Sequence, residues 1–513
     1  MLHYRIFINC FDLKNFLTLL LLFTVLNSLP SQNLDAQLQA ILTDYQLMGM
    51  SVVKICNGQV GFSRGYGLAD YDDLQPITDS TLYRVASISK AVTATALLML
   101  YDQGLFALDD DIGTALGYTL RNPQFPNVPI TYRMLLSHTA GIRDGSTYTA
   151  FLGATYSANW PSVAAYFVPG GTYYSSSVWG TQLPGSYFNY SNASFGLIAT
   201  LIERLGGQRF DVFCREKIFQ PLGMTASFNL ADLPNICNLA ALYRFQGGQW
   251  VVQHDGFNCQ PPVLPNWSGY VVGTNGFIFG PQGSLRTSAN DLAKFGLLHL
   301  HHGSLGNVHL LQPATATLMR SPQWQYSGSN GNDYDGLFRA WGLGLHLLTN
   351  APGADRVFPD RPMYGHPGEA YGLISDLYFD TLGNGVIFIT NGSKNGYTTA
   401  AGSAFYTVEA AVFAALFAEV DDCAVTGSQE TTANPNDLRV FPNPAGDWVN
   451  LYFSPPSGET ATATCYDAMG RLQQTLAGIS PGQKWDVSRL PTGLYWVKVQ
   501  TENRIWVGRM QKN

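Results

Sequence analysis

A serine becomes a nucleophile only where a neighbouring group can take its proton, so the chemistry begins with serines that have a basic residue at a useful spacing. The chain offers two Ser-x-x-Lys pairs, Ser51–Lys54 and Ser87–Lys90, and a Gly-x-Ser-x-Gly pentapeptide centred on Ser63. The element beneath each decides between them. SVVKIC and QVGFSRGYG flank Asn57-Gly58, which predicts a β-hairpin. On a strand, residues three apart point to opposite faces, so Lys54 cannot reach Ser51. Ser63 falls in the second arm of the same hairpin. Its pentapeptide is productive only where a strand turns sharply into a helix, and no helix follows. By contrast, SISKAVTATALLMLYDQG predicts a helix with Ser87 near its start and Gly104 as its stop. Residues three apart on a helix are neighbours, with Cβ atoms about 5–6 Å apart. The helix N-terminus favours negative charge developing on Oγ. Val92 and Leu97 to Leu100 supply apolar surroundings that lower the pKa of Lys90 towards that of a general base.

The elements that must hold this pair are legible on either side of it. A second hairpin, GLISDLYFD and GVIFITN around TLGNG, is followed by the helical run AFYTVEAAVFAALFAEV. Strands at both ends with helices between them predict an α+β body over 33–420: an antiparallel sheet flanked by helices, plus an all-helical lobe. A polar linker follows at 421–437. Beyond it, 438–513 shows short alternating strands (WVNLYF, ATATCYD, GLYWVKVQ, RIWVGRM) between PSG, MGR and PTG turns, the pattern of a small β-sandwich.

Several further stretches occur in a fixed order around the serine. YRVASISKAVTATALLML, ITYRMLLSHTAGI, PGSYFNYSNASFGLIATLIERLGG with Tyr190-Ser191-Asn192, EKIFQPLGMTAS, GSLRTSANDLAKFGLLHL and GHPGEAYG with His366-Pro367-Gly368 follow one another. This ordered set resembles the family of class C β-lactamases, serine DD-peptidases and related esterases over about 34–420. The resemblance implies the β-lactamase/transpeptidase-like fold, a Ser87 nucleophile, and Lys90 and Tyr190 sharing the proton traffic, with Tyr190 as a base. A phenol titrates near 10, so that role needs cationic neighbours such as Lys90. Asn192 would bond substrate or hold Lys90. His366 and Gly368 would line the edge of the site, and the backbone N–H groups of Ser87 and Glu369 would form an oxyanion hole. An acyl-enzyme would then hydrolyse in a second step. No cofactor is implied.

Departures from the pattern bear on substrate. The third motif carries His366 where typical class C β-lactamases have Lys, and Glu369 stands where carboxylate-binding members tend to have Ser or Thr. A carboxylate there opposes the free carboxylate of a β-lactam or of a D-Ala-D-Ala terminus. Neutral or amine-bearing esters and amides, possibly D-amino-acid peptides, are therefore the expected substrates. A genuine β-lactamase is one alternative, and a catalytically idle surface-binding protein that kept the fold is another.

The remaining candidates have blander readings. His138 is expected to be structural. His299, His301 and His302 lack a carboxylate at ligand spacing and read as a surface helix end rather than a metal site. Ser288 and Asn290 precede a helix and read as N-cap residues.

Composition and the chain ends set the context. Of 513 residues, 46% are apolar and 13% charged, and the net charge is −7, so nucleic acid has no electrostatic footing as a partner. FLTLLLLFTVL at 16–26 has signal-peptide length, which places a signal at 1–32 with cleavage near Ser28 to Gln32. Of the seven cysteines, Cys237 and Cys259 flank an irregular stretch and could pair in an oxidising compartment, whereas Cys214 reads as a buried thiol. VFPNPAG, YDAMGRL and LPTGLYWVKV over the last 75 or so residues resemble the C-terminal sorting domain of type IX secretion substrates. That resemblance implies the secretion machinery as a partner and a secreted or cell-surface location.

Overall fold

The computed structural model describes residues 30–157, 159–358, 361–417, 438–441, 445–453, 461–467, 471–480, 482–501 and 505–512. The expected signal core at 16–26 and the linker at 421–437 lie outside the described residues. The chain divides into two compact units, 1–427 and 428–513.

The first unit is built on a nine-stranded sheet. Helix α1 (Pro30–Asp44) leads into β1 (Gly49–Cys56) and β2 (Gln59–Asp70). Asn57 and Gly58 both have positive φ, 51° and 73°, as the tight turn of this hairpin requires. Late in the chain come β3 (Tyr364–Ala370), β4 (Leu373–Phe379) and β5 (Gly385–Thr390), all antiparallel. β1 pairs with both β2 and β5, so the two predicted hairpins join into one sheet. Their tips also meet, Gly58 N donating to Gly383 O at 2.7 Å. Short strands at 324–325, 340–341 and 346–347 extend the sheet beyond β3, and 75–76 extends it beyond β2.

Alternation along β4 assigns the two faces of the sheet. Leu373, Ser375 and Leu377 face the main core. Ile374, Asp376 and Tyr378 face a smaller core closed by α1 and α5 (Thr407–Phe417). In that smaller core the fully buried carboxyls of Asp376 and Glu409 meet. The main core holds α2 (Ser89–Asp102), α3 (Asn192–Gly206) and α4 (Ala289–Leu300). Helix α2 is buried almost all round, which explains its run of apolar and small residues without a polar face. Burial of Leu97 and Leu98 stabilises the packing by about 1.5–3 kcal/mol each.

The second unit consists of a three-stranded and a four-stranded antiparallel sheet. They share a core that includes Val449, Trp485, Val497 and Met510. Cys237 and Cys259 are joined, with Cα atoms 4.4 Å apart, and Cys214 is a buried free thiol. Ser288 caps α4, its Oγ accepting from Asp291 N at 3.0 Å. One expectation needs correction: His299 is not part of a surface helix end. It is buried inside α4 with Nε2 3.1 Å from Thr95 Oγ1, because this face of the helix packs on α2, while His301 and His302 are exposed.

Candidate active site

Ser87 sits in a single 3₁₀ turn, Ala86–Ile88, that feeds directly into α2. Ala86 is held at φ 46°, a conformation that costs a non-glycine residue about 1–3 kcal/mol and is maintained by its surroundings. Those surroundings grip Val85: its N–H donates to Leu285 O at 2.9 Å, and its carbonyl accepts from Ser375 Oγ at 2.9 Å. The strained turn is thereby braced against both the segment that leads into α4, at Leu285, and β4.

Lys90 lies in the first turn of α2 and is fully buried. Its Nζ donates to Ser87 Oγ at 3.1 Å, to Asn192 Oδ1 at 2.8 Å and to Gln282 O at 2.7 Å, which uses all three ammonium donors. The rings of Tyr190 and Phe195 lie 4.8 and 5.7 Å away. Burial lowers the pKa of Lys90 to about 7, and the charge of Asp144 opposes the shift. Near neutrality an appreciable fraction of Lys90 can therefore accept a proton.

Tyr190 hydrogen-bonds Ser87, yet burial drives its pKa well above the usual phenol value and that bond only partly opposes the rise. Lys90 lies over the face of the ring, where it contributes a cation–π contact. The environment thus moves Tyr190 away from the phenolate that a base requires. Beneath it, His138 presents its ring 4.5 Å away and accepts from Ser191 N through Nδ1 at 3.1 Å, the structural role expected of it.

Asn192 is the first residue of α3, whose N-cap Ser191 accepts from Ser194 N at 3.2 Å. The amide is oriented at both ends, Oδ1 towards Lys90 and Nδ2 donating to Asp144 Oδ2 at 2.7 Å. Asp144 also accepts from Ala193 N at 2.8 Å and from Ser191 Oγ at 3.3 Å. Asp144 escaped the sequence reading, as did the Gln282 carbonyl. Both act from irregular segments, where no periodicity marks them.

His366 projects from β3 to the Ser87 side of the sheet, paired in register with Leu377. It is completely buried, and burial followed by the charge of Lys90 holds its pKa well below the usual histidine value. Nδ1 lies 2.6 Å from Pro367 O and so carries the proton, which leaves Nε2 a buried acceptor with no hydrogen-bond partner among the described residues. A Cβ on Gly368 would stand 2.3 Å from Ser375 Oγ, 2.8 Å from Val85 O and 3.1 Å from Ser87 N. Only glycine lets β3 pass so close to the serine turn. Glu369, in register with Ile374, leaves the sheet on the far face, where its exposed carboxylate accepts from Tyr406 Oη at 2.9 Å. Its charge therefore lies at the rim of the sheet rather than among the buried groups around Ser87.

The rival serines are engaged elsewhere. Ser51 Oγ lies 2.8 Å from Tyr83 Oη, and Ser63 Oγ donates to Asn290 Oδ1 at 2.6 Å.

A lysine of lowered pKa against a serine on a strained turn is an acyl-transfer arrangement, and comparison with known proteins gives it a family. The Beta-lactamase family profile matches residues 34–404. The chain belongs to the beta-lactamase family. It is thus a serine hydrolase by descent, and its C-terminal residues 439–513 match the Secretion system C-terminal sorting domain. Among relatives, Penicillin-binding protein 4 of Amycolatopsis lactamdurans is 25% identical over 364 residues, 69% of this chain and 83% of that one. Protein flp of Staphylococcus aureus (strain MRSA252) is 27% identical over 227 residues, 44% of each chain, so the match spans less than half of that relative. The fold is shared with the D-amino acid amidase of Ochrobactrum anthropi SV3, solved in complex with D-phenylalanine. There the TM-score is 0.52 at 23% identity, covering 75% of this chain and 98% of the amidase.

Proposed function

We propose that this member of the family is an exported hydrolase that cleaves esters or amides through an acyl-enzyme on Ser87. The reading is carried by one observation: a buried Lys90 of lowered pKa with its Nζ 3.1 Å from Ser87 Oγ. Neutral Lys90 takes the proton from Ser87 Oγ as the oxygen attacks the substrate carbonyl. Tyr190, kept protonated by burial, serves as the relay rather than the resting base: it hands its proton to the leaving atom, and the proton that Lys90 took from Ser87 restores the phenol. The Ser87 and Glu369 backbone N–H groups receive the oxyanion, and Gly368 permits the approach. Water attacks the ester carbonyl in the second half-reaction, the proton now passing through Lys90 or Tyr190 in the reverse sense.

Substrate preference follows from charge on β3. His366 is neutral, Glu369 is an anion at the rim, and the third motif has no lysine. Neutral or amine-bearing acyl groups suit this edge, D-aminoacyl amides and esters among them, and β-lactams suit it poorly. Fluorophosphonate labelling of the wild type, lost in Ser87→Ala, tests the enzyme reading; absence of labelling in both returns the idle binding protein. Ranking chromogenic esters, D-aminoacyl amides and nitrocefin tests the substrate class, and efficient turnover of penicillins would refute it.

Export is proposed to use the signal at 1–32 and the sorting domain at 438–513. Deleting 438–513 should retain the enzyme in the periplasm, whereas unchanged secretion overturns the role.

A further inference from the structure

Three polar groups surround the Lys90 amine, and they are not alike. Gln282 O is a carbonyl and Asn192 Oδ1 an amide oxygen, so both can only accept. Ser87 Oγ alone can donate as well. A neutral amine has two N–H bonds and one lone pair. With the N–H bonds taken by Gln282 O at 2.7 Å and Asn192 Oδ1 at 2.8 Å, the lone pair faces Ser87 Oγ at 3.1 Å. The placement of the two acceptors therefore decides whether the base meets its proton. Asn192 is fixed by α3 and by Asp144. Gln282 has no such element, because it stands in an irregular turn closed by Gly283 N on Gly280 O at 2.9 Å.

Two arginines grip that turn from outside. Arg84 Nε donates to Gly283 O at 2.8 Å, one residue beyond the Gln282 carbonyl, and Nη2 donates to Ser284 Oγ at 3.1 Å. Arg286, in register opposite Arg84, donates through Nη1 to Ser284 O at 2.8 Å. Both guanidiniums lead back to one carboxylate. The fully buried side chain of Asp255 accepts from Arg286 Nη2 at 2.8 Å and Nε at 3.2 Å. It also meets His254 Nδ1 at 2.7 Å, while His254 Nε2 lies 2.7 Å from Arg84 Nη1. A guanidinium has no acceptor, so His254 takes the Arg84 hydrogen bond on Nε2 and donates its own Nδ1 proton to Asp255. Asp255 reaches this position through a left-handed backbone, φ 57°, directly after the strand Gln249–His254. Strain of that kind persists only where the surrounding contacts hold it. Arg84 also lies 4.9 Å from the ring of Tyr371, in the turn that follows β3.

We propose that His254 and Asp255 are positioning residues for the reaction at Ser87: acting through Arg84, they hold the Gln282 carbonyl so that Lys90 presents its lone pair to the serine. The inference rests on the hydrolase reading above. Neither residue touches the reacting atoms. His254 is the accessible end of the chain of contacts, with 30% of its side chain exposed, so it can be changed without opening the core.

The test compares wild type, His254→Ala and His254→Gln in the mature chain, with p-nitrophenyl acetate as substrate and rates expressed per fluorophosphonate-labelled site. His254→Ala removes the acceptor from Arg84 and should lower kcat/KM per labelled site about tenfold, the scale of one hydrogen bond. His254→Gln, whose amide oxygen can take the Arg84 hydrogen bond, should recover most of that loss. The Gln282 carbonyl stabilises the ammonium form, so its retreat in His254→Ala should also move the rise of kcat/KM to lower pH. Fewer labelled sites at an unchanged rate per site would show a role in folding alone and overturn the proposal, as would equal losses in the two variants. Failure of the hydrolase reading looks different: the wild type itself neither labels nor turns over the ester. In that case NMR titration of the Lys90 ε-carbon in carbon-13-lysine-labelled protein decides. A midpoint lowered in His254→Ala and restored in His254→Gln upholds the positioning role, and an unchanged midpoint overturns it.

Discussion

The same four-residue spacing occurs twice in this molecule with opposite results. At Ser51–Lys54 it lies on β1, where Ser51 bonds Tyr83 on the main-core face and strand alternation sends Lys54 to the other side. At Ser87–Lys90 a 3₁₀ turn and the first turn of α2 fold the spacing back on itself, and the amine comes to 3.1 Å from the hydroxyl. Both lysines are largely buried. What separates the pairs is the element beneath them, so a motif of this kind has chemical meaning only with its secondary structure attached.

The largest expected effect breaks the comparison outright. Ser87→Ala should lower ester hydrolysis by at least about 10³-fold, whereas Ser51→Ala leaves it within a few-fold. Comparable losses in both variants would mean that the strand pair takes part. Next comes the amine. Lys90→Gln should cost about 10²–10⁴-fold, the usual worth of a positioned base, with Lys54→Gln far milder. In the wild type kcat/KM should rise as pH passes about 7, because Lys90 must lose its proton to act as the base. A profile flat from pH 5 to 9 contradicts that assignment. Gly368→Ala should cost on the order of 10²-fold with stability less affected, since the added methyl pushes β3 away from the serine turn. The smallest effect is the most diagnostic: Asp144→Asn should move the kinetic inflection to lower pH, because the Asp144 charge raises the pKa of Lys90. The shift should be modest, as this exposed carboxylate is screened by solvent and salt.

Burial also shifts a pKa on the far side of the sheet, with the opposite sign. Glu409 is raised from 4.5 to about 7 by burial, and Asp376 is raised as well. The folded state keeps protons there that the unfolded chain releases, so this stability is present below about pH 4.5 and is lost as pH rises through about 7. Thermal unfolding should show Tm falling between pH 5 and 8, and Glu409→Gln should flatten the fall.

Much of this was legible in advance because it rests on short-range rules. Asn57-Gly58 marked one hairpin, TLGNG the other, and the apolar run after Ser87 marked α2. What escaped depends on tertiary placement. The strands at 324–325, 340–341 and 346–347 are too short to show alternation. His299 carries no sign in the sequence that its side of α4 meets α2. Asp144 and the Gln282 carbonyl act from loops, and a backbone carbonyl has no residue type to read. Tyr190 was recognisable by its motif, but the direction of its pKa required knowing that the phenol is completely buried. The side on which Glu369 emerges needed the register with Ile374.

β1 is clasped between β2 and β5, so one of the earliest strands of the unit is held by one of the last. Ser87 and Lys90 are translated early, but the strand that carries His366 and Gly368 arrives nearly three hundred residues later. A chain that lacks this strand has the serine and the lysine without the wall that completes them, so assembly of the site depends on closure of the sheet.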